Sequence, residues 1–261
     1  MSENYHPTKK SLGQHWLFDE ASLGAMLTAG EIAATDTVLE VGPGLGTLTQ
    51  KLCDSAQKVI AVELDDNLAA NLAHKVPADN LTVAHESILE FDISVLSPDY
   101  KVIANIPYYL TSNLIRKMLE SDNPPSVMAL LIQKEVAERI AAQPGEMSIL
   151  AVATQFYAEV ELKELVPAEL FSPPPKVDSQ IIQIRRRETP LFPDVDTTKF
   201  FRIVRAGFSE KRKKLRSSLS GGLQISKTEA DQLLKKANIS PNARAQELTL
   251  DQWHRLSSVF N

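Results

Sequence analysis

The sequence predicts an α/β domain, with a parallel sheet covered by helices on both faces, followed by a small all-helical domain. Apolar runs alternate with helical patterns over the first two thirds of the chain, and this alternation is typical of a parallel sheet with crossover helices. After Thr189-Pro190 only helical periodicity remains. We therefore predict one domain over residues 1–190 and a second, helical domain over residues 191–261.

The predicted strands are short runs rich in apolar and β-branched residues. They cover Thr37–Val41, Lys58–Glu63, Leu81–His85, Lys101–Ala104, Val127–Ile132, Glu159–Val166 and Val177–Arg186. Helical patterns between them cover residues 47–54, 65–74, 111–121, 134–142 and 148–157, the second with Asp65 as its N-cap. In the C-terminal region, apolar stripes are formed by Phe201, Val204 and Phe208, and by Leu233, Leu234 and Ala237.

The composition indicates a folded protein from a reducing compartment. Hydrophobic residues make up 43% of the 261 residues, which is enough for a substantial core. A single cysteine, Cys53, excludes a disulfide framework and a cysteine-based zinc site. The N-terminus has no leader pattern and no apolar run reaches the ~18 residues of a membrane span. We therefore expect a cytoplasmic protein without a membrane partner.

Basic residues are clustered, although the net charge is −5. Residues 202–216 contain seven basic side chains and one acid, and smaller clusters are Arg185–Arg187 and Lys9-Lys10. Local patches decide whether a phosphate backbone is attracted. A solvated helix face is the alternative interpretation of any one cluster. The candidate RNA contacts are Arg205, Lys211, Arg212, Lys213, Lys214 and Arg216.

A glycine turn follows the first predicted strand, in the order Gly42-Pro43-Gly44-Leu45-Gly46. Glycines permit a tight turn and a close approach of the backbone to a ligand. Glu63, at the end of the next strand, can accept hydrogen bonds from the ribose hydroxyls of an adenosine-containing cofactor. The spacing differs from the dinucleotide motif and from the P-loop. With the preceding Glu40 it looks like the S-adenosylmethionine turn of class I (Rossmann-like) methyltransferases, with hydride transfer as the remaining alternative.

A second motif, Asn105-Ile106-Pro107-Tyr108-Tyr109, follows a strand and resembles the signature of exocyclic-amine methyltransferases. The lone pair of adenine N6 is delocalised, so this amine must be oriented before it attacks a methyl group. The Asn105 side-chain oxygen and the Ile106 carbonyl can accept its two hydrogens, and Pro107 favours an extended Ile106. Tyr108 offers a face for stacking. A strand-ending turn with core tyrosines is the alternative.

Five segments together resemble the ribosomal RNA adenine dimethyltransferase family. They are Lys10–Leu17, the glycine turn, Asn105–Tyr109, Phe171–Ser179 and Phe208–Arg216, and the likeness extends from about Lys9 to the C-terminus. It is greatest to the bacterial small-subunit branch, which dimethylates two adjacent adenosines near the 3′ end of 16S rRNA. The resemblance implies S-adenosylmethionine as the cofactor, no metal, and the immature small ribosomal subunit as partner. We expect a monomer.

The resemblance also implies residue roles. His15 and Leu17 would contact the cofactor from the N-terminal arm, Gly42 and Gly44 would face it, and Glu63 would hold its ribose. Asn105 would lie where cofactor and target amine meet, and Phe171 would form a second aromatic wall for the base.

The chain departs from the common family pattern at three places, one of which is the additional positive charge of Lys211–Lys214. His15-Trp16 replaces Asn-Phe, which keeps a polar contact and a large aromatic ring. Ser87 replaces the Asp that would accept a hydrogen bond from the cofactor adenine, and Glu86 or Asp92 are alternatives for this contact. The adenine end is therefore the part of the site that the pattern defines least.

Three rival functions remain. The antibiotic-resistance branch dimethylates an adenosine in large-subunit rRNA, and the C-terminal stretch Pro241–Leu248 favours the small-subunit branch over it. A non-catalytic ribosome-assembly factor that binds RNA would have no need of Asn105–Tyr109 or Glu63. A DNA adenine methyltransferase would carry a larger recognition insertion than the sequence shows.

Overall fold

The computed structural model describes residues 14–210 and 212–260, and a seven-stranded sheet is its central element. Its strands are ordered β4-β3-β2-β5-β6-β9-β7. Five neighbouring strands, β4 to β6 in this order, are parallel, and β9 pairs with β6 antiparallel. The strands are β2 Thr37–Val41, β3 Lys58–Glu63, β4 Leu81–His85, β5 Lys101–Asn105, β6 Val127–Gln133, β7 Ala158–Val166 and β9 Ser179–Arg186.

All seven predicted strands are confirmed, and the predicted parallel sheet is extended by an antiparallel strand, β9. A parallel connection needs a crossover of about a dozen residues or more, usually a helix. Between Val166 and Ser179 the described chain contains only a 3-10 turn and the two-residue strand β8 (Phe171–Ser172). The sheet is therefore mixed, with its parallel part carrying the glycine turn and the Asn105 motif.

The helices between the strands begin where the sequence provides caps. The Asp65 carboxylate accepts the N–H groups of Asn67 and Leu68, which fixes the first turn of α3. The Ser148 hydroxyl accepts the Ala151 N–H and starts α6 in the same way. The bounds are α1 Glu20–Ala29, α2 Thr47–Ser55, α3 Asp66–Lys75, α4 Thr111–Leu119, α5 Lys134–Ile140 and α6 Ile149–Tyr157.

Two elements that position the site were not predicted. Helix α1 begins at the Asp19 cap, whose carboxylate accepts the Ser22 N–H, and it buries Leu23 and Met26. Strand β1 (Trp16–Leu17) pairs antiparallel with β8. This pair attaches the N-terminal arm to the proline-rich segment Phe171–Ser179.

The chain divides into two compact units, the first of which contains residues 14–137 and 160–186 of the described chain. Its core lies between the sheet and helices α1 and α2, where Met26, Leu52, Val38 and Ile103 are fully buried. Burying such side chains contributes about 1.5–3 kcal/mol each relative to exposure. This core therefore stabilises the edge of the sheet at which the glycine turn and Asn105 lie.

The second unit is mostly helical and contains residues 138–159 together with the described part of 187–260. Trp253 is completely buried in its core, where a Cβ at Gly207 would overlap the indole. Phe200, Ile203 and the predicted Val204 are buried on α7, and the predicted Phe201 and Phe208 are partly buried against the same core. The helices added here are α7 Thr197–Gly207, α8 Leu215–Leu223, α9 Lys227–Lys236 and α10 Leu250–Val259.

The helical character of the C-terminal region agrees with the sequence. The contacts also group α6 with these helices, whereas the sequence assigned residues 148–157 to the first domain. The domain boundary near residue 190 stays a prediction. Among the described residues, no helix is both long and apolar enough to cross a membrane, and no three His, Cys, Asp or Glu side chains form a group suited to a metal ion.

Candidate active site

A single cavity brings together every residue that the sequence assigned to cofactor binding or catalysis. It lies at the carboxyl ends of the parallel strands, where ligands bind in open α/β sheets. Its lining includes His15, Leu17, Gly42, Gly44, Glu63, Ser87, Asn105, Ile106, Pro107, Tyr108 and Phe171. Their individual roles stay predictions.

The glycine turn adopts backbone angles that favour glycine. Gly42, Gly44 and Gly46 have φ angles of +68°, +58° and +88°, in the left-handed region that is unfavourable for other residues. A Cβ at Gly44 would overlap the Trp16 ring, because the N-terminal arm packs directly on the turn. The turn therefore requires glycine both for its angles and for this close approach.

Glu63 is tied to the glycine turn by its own carboxylate. Its Oε2 accepts the Gly44 N–H at 3.2 Å and its Oε1 accepts the Asp65 N–H at 2.9 Å. The side chain is buried at the rim of the cavity. These two bonds fix the orientation of the carboxylate at the end of β3.

Glu40, the acid that precedes the glycine turn, also lines the cavity, although it was not among the predicted site residues. It is buried, and its Oε2 has no hydrogen-bond partner among the described residues. Burial raises the pKa of Glu40 to about 8; the Thr49 hydroxyl partly offsets the rise and the nearby Glu63 carboxylate adds to it. The signal in the sequence was an acid two residues before Gly42, in a strand where its neighbours Leu39 and Val41 are apolar.

Asn105 ends β5 and is held by the N-terminal arm. Its Nδ2 donates to the His15 carbonyl at 3.3 Å, which leaves Oδ1 as the available acceptor. A Cβ on Gly42 would lie 3.9 Å from Pro107 Cδ, so the glycine turn and the Asn105 motif adjoin. The structure thus places the two motifs side by side in one cavity.

Tyr108 is fixed at both ends of its side chain. Its hydroxyl shares a hydrogen bond of 2.9 Å with Ser179 Oγ, and its ring stacks with His15 at a centroid distance of 6.1 Å. Burial raises the pKa of Tyr108, with the Ser179 bond opposing the rise, so the phenol stays neutral. His15 Nδ1 in turn donates to the Pro173 carbonyl at 2.7 Å.

Phe171 has two surroundings at once. In β8 it pairs with Leu17, and it is buried in the core of the first unit, yet it also lines the cavity. Phe171 is therefore a core residue that also reaches the cavity, and its role as an aromatic wall stays a prediction.

Of the three residues considered for the contact with the cofactor adenine, two line the cavity and one does not. Ser87 and Glu86 both line the cavity, and Ser87 Oγ accepts the Leu89 N–H at 3.3 Å. Asp92 is not among the lining residues, and its carboxylate accepts the Ser94 N–H at the start of a 3-10 turn. The alternative that Asp92 replaces the missing acid is therefore wrong.

The predicted RNA-binding residues lie in the second unit, and most of them connect α7 to α8. Lys211 lies outside the described residues. Arg212, Lys213 and Lys214 are exposed, and Lys214 donates to Asn242 at 2.6 Å. Arg205 is exposed on α7, and Arg216 pairs with Asp231 at 3.1 Å. The segment is a turn between helices, not a helix.

The cluster Arg185–Arg187 is not a free cationic patch. Its three guanidinium groups pair in order with Glu31, Asp99 and Glu159. Because each charge is already paired with an acid, this cluster contributes little net positive potential, and an RNA contact there stays a prediction.

Comparison with known proteins shows the family. The family model described as ribosomal RNA adenine dimethylase matches residues 5–261. Proteins named ribosomal RNA small subunit methyltransferase A are 41% identical in Dehalococcoides mccartyi (strain 195), over 97% of this chain and 88% of that protein, and 36% identical in Clostridioides difficile (strain 630), over 97% and 90%.

Solved structures give the same result. A dimethyladenosine transferase from Plasmodium falciparum has a TM-score of 0.78 at 26% identity, covering 93% of this chain and 96% of that one. The 23S rRNA methyltransferase ErmE has a TM-score of 0.76 at 28% identity, covering 93% and 98%. The predicted class I methyltransferase fold is confirmed. The family model matches nearly the whole chain, and the glycine turn and the Asn105 motif line one cavity. The chain therefore belongs to the ribosomal RNA adenine dimethylase family.

Proposed function

We propose that this protein dimethylates N6 of two adjacent adenosines near the 3′ end of 16S rRNA, using S-adenosylmethionine. The observation that carries the proposal is the shared cavity of the glycine turn and Asn105. The first motif would hold a nucleoside cofactor and the second would accept an exocyclic amine, and residues of both line this cavity.

The donors and acceptors of the cavity suit S-adenosylmethionine. Glu63 supplies the fixed carboxylate for ribose hydroxyls, and the glycine turn gives backbone access to the amino-acid part. Glu40 adds a buried carboxyl that becomes favourable as an anion beside a positively charged ligand. When bound, the cofactor supplies a methyl group on a sulfonium, which is the electrophile of the reaction.

The chain positions the target amine and needs no strong base. Asn105 Oδ1 and the Ile106 carbonyl accept the two N6 hydrogens, which orients the nitrogen lone pair toward the methyl donor. Tyr108, held by Ser179, and Phe171 enclose the purine ring. Orientation and preformed dipoles of this kind contribute most of the rate acceleration in such a site. The amine proton is released after transfer.

The small-subunit branch is favoured over the large-subunit branch. The curated relatives named for the small subunit reach 36–42% identity over nearly the whole chain, whereas the large-subunit enzyme ErmE is 28% identical. We further propose that the immature small subunit is the substrate, that the protein acts in the cytoplasm as a monomer, and that the exposed basic segment 212–214 contacts the RNA backbone.

The test is methyl transfer to 30S particles from a strain that lacks the modification. Purified protein and tritiated S-adenosylmethionine should label the 16S rRNA, and primer extension should map the label to two adjacent adenosines. Labelling of 23S rRNA instead would assign the protein to the large-subunit branch. No labelling of either RNA would support a non-catalytic assembly factor.

A further inference from the structure

Two adjacent tyrosines in the Asn105 motif have opposite surroundings. Tyr108 is partly buried and bonded to Ser179, whereas Tyr109 is 61% exposed. The Tyr109 side chain makes no hydrogen bond or ring contact with the described residues, and yet it lines the same cavity as Asn105. The mechanism above gives Tyr109 no role.

The exposure of Tyr109 is imposed by the backbone around it. Tyr108–Leu110 forms a 3-10 turn, closed by the Leu110 N–H bonding to the Pro107 carbonyl at 2.9 Å. Leu110 is buried, and the buried Thr111 hydroxyl donates to the Tyr108 carbonyl at 3.1 Å. Because its neighbours on both sides are anchored, Tyr109 is presented at the cavity mouth on a fixed turn.

The position of Tyr109 along the sheet edge decides which ligand it meets. Leu64 and Leu89, the other strongly exposed apolar residues of the cavity, follow β3 and β4. Strand spacing of ~4.8 Å places the end of β4 about 14 Å from the end of β5. Leu64 and Leu89 therefore belong to the cofactor side, and Tyr109, four residues after Asn105, belongs to the RNA side.

We propose that Tyr109 stacks against the nucleobase next to the extruded target adenosine. An exposed aromatic ring at the mouth of a base pocket is the feature on which unpaired RNA bases stack. With one adenosine in the pocket, its neighbour is the nearest unpaired base to the mouth. If the two targets are adjacent adenosines, Tyr109 holds the second while the first reacts. This inference rests on the proposed function.

The test compares Tyr109→Ala and Tyr109→Phe with wild type on 30S particles from an unmethylated strain. Tyr109→Ala should raise KM for the particles about tenfold, which corresponds to ~1.4 kcal/mol and lies within the range of base–aromatic stacking. Tyr109→Phe, which keeps the ring, should restore the wild-type KM. The Kd for S-adenosylmethionine and kcat at saturating particles should not change. Val95→Ala, at a residue that is 70% exposed and does not line the cavity, is the matched control.

A second measurement separates stacking from a structural role. Particles reconstituted with an abasic site beside one target adenosine should show the same tenfold rise in KM with wild type, and no further rise with Tyr109→Ala. Independent, additive losses in the two changes would overturn the proposal, as would an unchanged KM in Tyr109→Ala. Absence of methyl transfer by wild type would instead overturn the proposed function.

Discussion

Glu40→Gln should raise the free energy of unfolding of the ligand-free protein at neutral and alkaline pH. Burial raises the pKa of Glu40 from 4.5 to about 8 in the folded protein, whereas an unfolded chain leaves it near 4.5. Between these values the folded state keeps a proton that the unfolded state has lost. The free energy of unfolding therefore falls as the pH rises through this window. Glutamine has nearly the same shape as the protonated glutamic acid but cannot ionise. The substitution therefore removes this pH dependence.

The size of the effect follows from the two pKa values. One unit of difference is worth ~1.4 kcal/mol, so the 4.5-to-8 window corresponds to an upper bound of about 5 kcal/mol. The difference in unfolding free energy between Glu40→Gln and wild type should grow by up to ~1.4 kcal/mol per pH unit across the window. The difference in unfolding free energy should be constant at pH values below and above this window.

Urea unfolding at pH 5, 6, 7 and 8, at fixed ionic strength and without ligand, measures this difference. The control is Asp92→Asn, because hydrogen bonds from Ser94 lower the pKa of that exposed carboxyl. The stability that Asp92 contributes is lost only as the pH falls below its ordinary value of 3.8, so the control should be flat from pH 5 to 8. Parallel curves for wild type and Glu40→Gln would refute the buried, protonated state of Glu40.

Three further changes test the site and the basic segment. Asn105→Ala should lower kcat for methyl transfer to 30S particles at least ~100-fold while particle binding is retained, since a preorganised acceptor is lost; unchanged incorporation would contradict the assignment. Gly44→Ala should weaken S-adenosylmethionine binding in calorimetry, because a non-glycine residue at φ +58° costs about 1–2 kcal/mol and its Cβ would displace Trp16; Gly24→Ala, with open space around it, is the control. Replacing residues 211–214 by Gln should reduce the salt slope of RNA binding by up to ~3, and the same slope as wild type would remove this segment from the interface.

The local signals in the sequence were sufficient for the sheet and for most of the site. Asp65 could be identified as a cap because its carboxylate acts on N–H groups two and three residues away. Asn105 could be placed because it follows a strand whose carboxyl end is the usual ligand edge. Both inferences depend on interactions that are close in sequence, which is why the structure bears them out.

The strand pairing of the N-terminal arm and the ion pairs of the arginine cluster could not be predicted, because the partners are distant in sequence. Strand β1 has two residues and therefore no periodicity, and its partner Phe171 lies in a separate loop. The cluster Arg185–Arg187 reads as a free basic patch until the fold brings Glu31 and Asp99 to it. Charge runs predict a potential only when the acids of the folded neighbourhood are known, and those acids are set by the topology.

The register between β2 and β5 is the feature on which the chemistry depends. Glu40 pairs with Ile103 in the parallel ladder. Two residues further along each strand, Gly42 and Asn105 therefore come to the same edge and the same level. A slip of one residue would turn Asn105 to the opposite face of the sheet, because side chains alternate along a strand. The buried Val38, Leu39 and Val102 oppose such a slip, since it would exchange their faces. Core packing thus sets the distance between Gly42 and Asn105 before any ligand binds.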